Sequence, residues 1–208
     1  MNVLGVGAHF DDLELGCGGT LINHARAGDR VTMLVITHSG YVDPDGNVIR
    51  KRETALAEGL KAAGIIGADL ICLEYPTLEI CFDEALTKRI QQIIDGRQID
   101  TIYSHWEGDL HRDHKLTAQS TLMAGRHAPR FLMYRSNYYV TGQPFGGNFY
   151  VNISDVIEEK REAIRAHASE MERVNYSWLD FVERQDANHG LIIGVRYAEQ
   201  FKVVRYLL

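Results

Sequence analysis

The tetrapeptide His9-Phe10-Asp11-Asp12 puts one imidazole and two carboxylates into a single turn of chain. A second tetrapeptide, His111-Arg112-Asp113-His114, adds two imidazoles and another carboxylate. Drawn together, they supply what a hydrolytic zinc centre needs: two histidines, one carboxylate and an open position for water. His9 and His114 are the natural ligands, completed by one of Asp11 or Asp12. The other aspartate can then take the proton of the attacking water as general base. His111 lies three residues before His114, so on a helical turn the two point the same way. From there His111 could donate to a developing oxyanion or protonate a leaving amine. Asp113 could orient an imidazole from behind.

Each cluster has a plainer explanation. Paired aspartates at a strand–helix junction often only cap the helix. Gly16-Cys17-Gly18-Gly19 after a first strand could be a weak dinucleotide loop, although it does not meet G-x-G-x-x-G. What lifts the two clusters above these readings is where the chain must place them.

The apolar run over residues 1–7 predicts a buried strand, followed by a helix over 18–27 that stops at Gly28. A second strand is expected over 30–37, a helix over 50–63 ending at Gly64, and a third strand over 70–73. A helix over 83–94 with Asp83 as N-cap, a fourth strand over 101–104 and a helix over 113–126 follow. Strict alternation implies parallel strands and right-handed crossovers. The expected fold is therefore α/β: a Rossmann-like, doubly wound, mostly parallel sheet with helices on both faces. In the order 3-2-1-4-5, strands one and four are neighbours at the switch point, and the loops after them open a crevice. Each of the two clusters follows one of these strands. His38 and His105 also end predicted strands and are expected to face the crevice, with His105 meeting the substrate.

Later the pattern changes. Strands are expected over 130–135 and 148–153, with a loop between, then helices over 155–171 and 178–186 and a final strand or packed tail over 201–208. With no repeat, low-complexity segment or linker, residues 1–208 are expected to form one domain.

A net charge of −6 leaves no basic excess for a nucleic-acid binder. No apolar run has the length of a transmembrane helix, and no basic segment precedes the first apolar run as in a signal peptide. Cys17, Cys72 and Cys81 are odd in number and form no C-x-x-C pair, as expected of reduced thiols in a cytoplasmic protein.

The stretch Ala8-His9-Phe10-Asp11-Asp12-Leu13-Glu14-Leu15-Gly16-Cys17-Gly18-Gly19-Thr20 resembles the opening signature of the PIG-L/LmbE-like zinc-dependent N-deacetylases, A-H-P-D-D-x-E-x-G-x-G-G-T. His111-Arg112-Asp113-His114 resembles their H-x-D-H motif, and Arg50-x-x-Glu53 with Ala63-Gly64 their R-x-x-E helix. Residues 160–170, with His167-Ala168-Ser169, resemble the K…H-x-S-Q segment, and Tyr197-Ala198-Glu199-Gln200-Phe201 the Y-A-E-x-F end. The resemblance implies a Rossmann-like fold, a divalent metal that is usually zinc, and hydrolysis of an N-acetyl group. The usual substrate is a small N-acetylglucosaminyl compound, and trimers or hexamers are frequent. It makes His9, Asp12 and His114 the ligands, Asp11 the base, His111 the stabiliser of the tetrahedral intermediate and Arg50 the holder of substrate hydroxyls.

Phe10 departs from the signature's proline, which leaves the loop less preset in φ, and its ring is expected on the pocket floor. Glu170 stands in place of the usual glutamine, and residues 140–148 are expected to cover the pocket and select substrate. The first expectation is thus a metal-dependent N-deacetylase of an amino-sugar conjugate. The alternative is the same mechanism on a non-sugar amide or another small N-acyl group. A nucleotide-binding Rossmann module without catalysis comes third, since it has no use for His9 and His114.

Overall fold

The computed structural model describes residues 1–208. In chain order the first half holds β1 (Asn2–Gly7), α1 (Asp12–Arg26), β2 (Arg30–Thr37), β3 (Tyr41–Val42), β4 (Val48–Arg50), α2 (Arg52–Ile66), β5 (Asp69–Tyr75), α3 (Glu84–Gly96) and β6 (Thr101–His105). The second half adds α4 (Arg112–Ala124), β7 (Arg130–Tyr134), β8 (Phe149–Asn152), α5 (Ile157–Arg165), α6 (Ala168–Arg173), α7 (Ser177–Ile193) and β9 (Ala198–Tyr206).

Seven strands form one sheet in the order β5-β2-β1-β6-β7-β9-β8. β5, β2, β1, β6 and β7 pair in parallel. β9 runs antiparallel between β7 and β8. The expected order holds for the first five strands, and β1 and β6 are neighbours at the switch point. Strand side chains alternate between faces. Val3, Val31 and Met33 therefore join one core under α1, α2 and α5. Leu4, Leu34 and Ile36 join the other, with Leu86 and Ile90 of α3. No helix is long and apolar enough to cross a membrane.

Three local departures bear on the site. α1 begins at Asp12 rather than at residue 18, because its first turn is separated from the rest by a kink at Cys17 (φ −150°, ψ 17°). The helix expected over 155–171 is broken into α5 and α6 around His167, whose backbone leaves the helical region (φ −82°, ψ 57°). The β3–β4 hairpin was not anticipated, although its turn was readable. The Asp43 carboxylate accepts from the backbone N–H groups of Asp45 and Asn47 at 2.9 and 2.8 Å, and Gly46 takes φ +86°, the turn chemistry of Asp-Pro-Asp-Gly.

Candidate active site

The chain leaves β1 at Gly7 and enters α1 at Asp12 in four residues. Asp11 is forced to φ 117°, a conformation costly for a residue with a side chain. Neighbours hold the loop there. His9 N–H donates to Asp12 Oδ2 at 2.7 Å, and Phe10 N–H donates to Ser39 Oγ at 2.9 Å. Arg50 Nη1 donates to the Phe10 carbonyl at 3.1 Å. Gly16 keeps α1 close to the sheet, since a Cβ there would lie 2.1 Å from the Tyr134 ring.

α4 starts just beyond β6 and brings its histidines to the same point. His114 Nε2 lies 3.1 Å from Asp12 Oδ1, and His9 Nδ1 lies 3.4 Å from Asp12 Oδ2. Ligand atoms of His9, His111 and His114 also lie close enough together to hold one ion, as do those of Asp12, His105 and His114. Each of the two expected histidine ligands has its other ring nitrogen on a carboxylate. His9 Nε2 is 3.1 Å from Asp113 Oδ2, and His114 Nδ1 is 3.1 Å from Asp109 Oδ2. This is the supporting pattern of metal-binding histidines, in which a carboxylate fixes ring orientation.

Charge in the cluster points the same way. Burial opposes a proton on His9, but Asp113 and Asp12 outweigh it and lift its pKa to about 9. Burial likewise opposes a charge on His114, and Asp12 and Asp109 outweigh it and lift it to about 10. Burial would raise Asp12, yet His114 and His105 hold it well below the usual carboxylate range. Two imidazoles thus carry positive charge against one shared carboxylate. A divalent cation exchanging for those two protons would keep the charge balance, so the donor set fits a metal.

Asp11 is buried beside Asp12 and takes the opposite course. Burial and the Asp12 charge lift it to about 7, against Arg50 and His167. His111 caps α4, and its Nδ1 accepts the Asp113 N–H at 3.2 Å. In the neutral ring the proton is therefore on Nε2, which is a donor. Burial and the neighbouring His114 and His9 push its pKa down to about 4. His9, Asp11, Asp12, His111, His114 and Arg50 all line one cavity of about 290 Å³.

Two residues expected at the substrate are elsewhere. Phe10 is 2% exposed and packs with Val35 and Ala55 under α2, with its ring against Gly59. It belongs to the core and not to the pocket floor, because the strained Asp11 turns the carboxylate, and not the ring, toward the opening. His105 is fully buried and lies behind Asp12, with Nε2 3.1 Å from Asp12 Oδ2 and 3.1 Å from the Ala8 nitrogen. It supports the carboxylate and does not face the cavity. Asp113 is also fully buried and holds His9 instead of touching the opening.

Arg50 lines the cavity. Its Nη2 donates to Glu58 Oε2 at 2.8 Å, and its buried Nε has no partner. Glu58, and not the exposed Glu53 of the sequence motif, is thus the anchor, and it also accepts Ser169 N–H at 2.7 Å. Sequence reasoning missed Glu58, Asp109, Ser136 and Asn137. Ser136 donates to Asp12 Oδ1 at 3.0 Å, and Asn137 donates to Asp109 Oδ2 at 2.8 Å. Only Asp109 had a signal, as a carboxylate two residues before His111.

Residues 4–124 match the family model described as "PIG-L: GlcNAc-PI de-N-acetylase". The chain is 28% identical to a diacetylchitobiose deacetylase of Thermococcus kodakarensis, over 97% of this chain and 82% of the relative. A conserved protein of Thermus thermophilus superposes with a TM-score of 0.84 at 25% identity, over 100% of this chain and 96% of the other. The 4-carboxy-2-hydroxymuconate hydratase of Pseudomonas putida superposes with a TM-score of 0.81 at 18% identity, over 100% and 98%. The last likeness is one of fold alone. One fold thus carries different reactions, and the reaction has to be argued from the site.

Proposed function

The chain belongs to the PIG-L family, and from that membership and the cavity we propose that it is a zinc-dependent N-deacetylase of amino sugars, releasing acetate and a free amine. The observation that carries the reading is the meeting of His9, Asp12 and His114 in one cavity with Asp11 lifted to about 7 beside them. His9 Nδ1, Asp12 and His114 Nε2 would hold the metal. When bound, it supplies Lewis-acid polarisation and an acidified water.

The chain's own groups do the rest. The Asp11 carboxylate takes a proton from the attacking water as the new C–O bond forms at the amide carbon. The His111 Nε2–H donates to the carbonyl oxygen, whose charge grows as the carbon becomes tetrahedral. Protonated Asp11 then returns the proton to the amide nitrogen, the C–N bond breaks, and acetate and amine leave. Arg50, fixed by Glu58, lines the cavity where a sugar hydroxyl would be held.

The test is acetate release from N-acetylglucosamine, N,N'-diacetylchitobiose and a sugar-free N-acetylamine, using protein with measured zinc content. The expected result is release from one or both sugars, abolished by chelation and restored by zinc. Release from the sugar-free amide alone would replace the amino-sugar reading with that of a general N-acyl hydrolase.

A further inference from the structure

Behind the cavity lies a buried polar pair that the chemistry above does not use. His167, at the break between α5 and α6, and Glu14, in the first turn of α1, are both sealed from solvent. His167 Nε2 lies 2.9 Å from Glu14 Oε1, and its Nδ1 lies 3.4 Å from Arg50 Nη2. A guanidinium only donates, so the second bond needs Nδ1 as acceptor and leaves the ring proton on Nε2, facing Glu14. Apolar side chains of the same volume would often stabilise a fold as well as such a pair does. A broken helix and a buried polar pair together depart from local rules, as sites kept for function do.

What the pair serves lies at the other end of Arg50. Arg50 Nη1 donates to the Phe10 carbonyl at 3.1 Å, in the peptide that leads into Asp11. Asp11 is held there at φ 117°, and its side chain caps no N–H of α1. The direction of its carboxylate is therefore set by its backbone, and a turn of the Phe10–Asp11 peptide would swing it. Asp12 is fixed independently, by His9 N–H, Ser136, His105 and His114. The route from Glu14 thus ends on the general base and not on a metal ligand. We propose that His167 and Glu14 are positioning residues. Glu14 orients the imidazole, His167 and Glu58 together hold Arg50 Nη2, and Arg50 Nη1 keeps the Phe10–Asp11 peptide in the orientation that points the Asp11 carboxylate at the attacking water. Glu58 alone pairs the Arg50 charge, so removing His167 costs direction and leaves no unpaired cation. This inference rests on the deacetylase reading above.

The experiment measures kcat and KM for acetate release with zinc-loaded full-length His167→Leu, His167→Asn, Glu14→Leu and Glu14→Gln. Expressing kcat per bound zinc removes the contribution of unfolded protein. Each Leu variant should lose about tenfold to a hundredfold in kcat, the scale of a small misplacement of a reacting group. KM and zinc content should change little. His167→Asn keeps an acceptor for Arg50, and Glu14→Gln keeps an acceptor for Nε2–H, so each should recover much of the loss. If His167→Leu does not fold, His167→Gln takes its place, since its amide reaches Glu14 and leaves Arg50 without the acceptor. An unchanged kcat in the Leu variants, no recovery in the conservative ones, or loss of zinc in step with kcat overturns the proposal. A crystal structure of the His167 variant reads the geometry without turnover. The Phe10–Asp11 peptide should be turned, with His9, Asp12 and His114 in place, and an unmoved Asp11 overturns the proposal. No acetate from any N-acetyl compound with the natural protein, together with a displaced Asp11 in the variant, counts against the deacetylase reading alone.

Discussion

Asp11 and Asp12 are adjacent in sequence and opposite in environment. Asp12 accepts from His9 N–H and Ser136 and lies against His105 and His114, which hold it ionised. Asp11 has burial and a like charge acting on it, and rises to about 7. Two carboxylates pushed apart in this way suit different roles, one as ligand and one as base. Asp11→Asn should therefore keep its zinc and lose about 10²- to 10⁴-fold in turnover, the range for a general base. Asp12→Asn should lose the metal itself. Elemental analysis beside acetate release checks both, and the opposite pattern would exchange the two roles. Residue types had shown only that one of the pair ligates. The neighbours that separate them, Ser136 and His105, come from distant parts of the chain and carry no mark of it in the sequence.

At the scale of elements, half-buried and buried carboxylates join segments that the chain keeps far apart. Glu58 of α2 receives Arg50 and both the N–H and hydroxyl of Ser169 at the start of α6. Burial would raise its pKa, but these donors outweigh burial and hold it below the ordinary 4.5. The folded state therefore binds fewer protons here than the unfolded chain. The stabilisation is complete above pH 4.5 and is lost as pH falls from there through the folded value. Urea titrations from pH 6 to 3 should show a shallower acid loss for Glu58→Gln than for the natural protein. Equal slopes would mean that Glu58 titrates alike in both states. Glu199 of β9 does comparable work on α1. The kink at Cys17 frees the N–H groups of Gly19 and Thr20, and Glu199 accepts both at 2.8 Å while pairing with the buried Lys160 at 2.8 Å. Glu199→Ala leaves the N–H groups of Gly19 and Thr20 and the Thr20 hydroxyl without their acceptor, and leaves buried Lys160 with Asp186 alone. It should cost about 3–5 kcal/mol by denaturant unfolding, the scale for breaking a buried pair. A loss below about 1 kcal/mol, typical of a surface pair, would show that packing alone holds the kink.

On the scale of the molecule, the proposed metal ligands join two βα units. His9 and Asp12 come from the β1–α1 turn, and His114 from α4 after β6. Both hydrophobic cores lie within the sheet–helix layers and do not need the ion. Chelation should therefore leave a folded protein with a lower Tm, and zinc should restore it. Metal at a thousandfold excess over its Kd adds about 4 kcal/mol. Calorimetry with and without chelator checks this, and an unchanged Tm would mean that no metal is resident.

The alternation of strands and helices, the order of the first five strands and the side-by-side placement of the two histidine clusters were all determined by sequence, because hydrophobic periodicity and the handedness of crossovers act locally and leave few topologies open. Asp83 was likewise legible as a cap, and its carboxylate accepts Leu86 N–H at 2.8 Å. Tertiary structure alone decided the direction in which each side chain points. Phe10 enters the core because Arg50 and Ser39 pin its backbone while α2 offers Gly59 as a seat. His105, at the end of its strand, turns behind Asp12 instead of toward substrate. The broken helix at His167 follows the same rule. Its Nε2 lies 2.9 Å from the buried Glu14, and helical periodicity could not anticipate that partner, because Glu14 lies on the first helix of the chain and meets His167 only once the sheet has brought the two ends of the protein together.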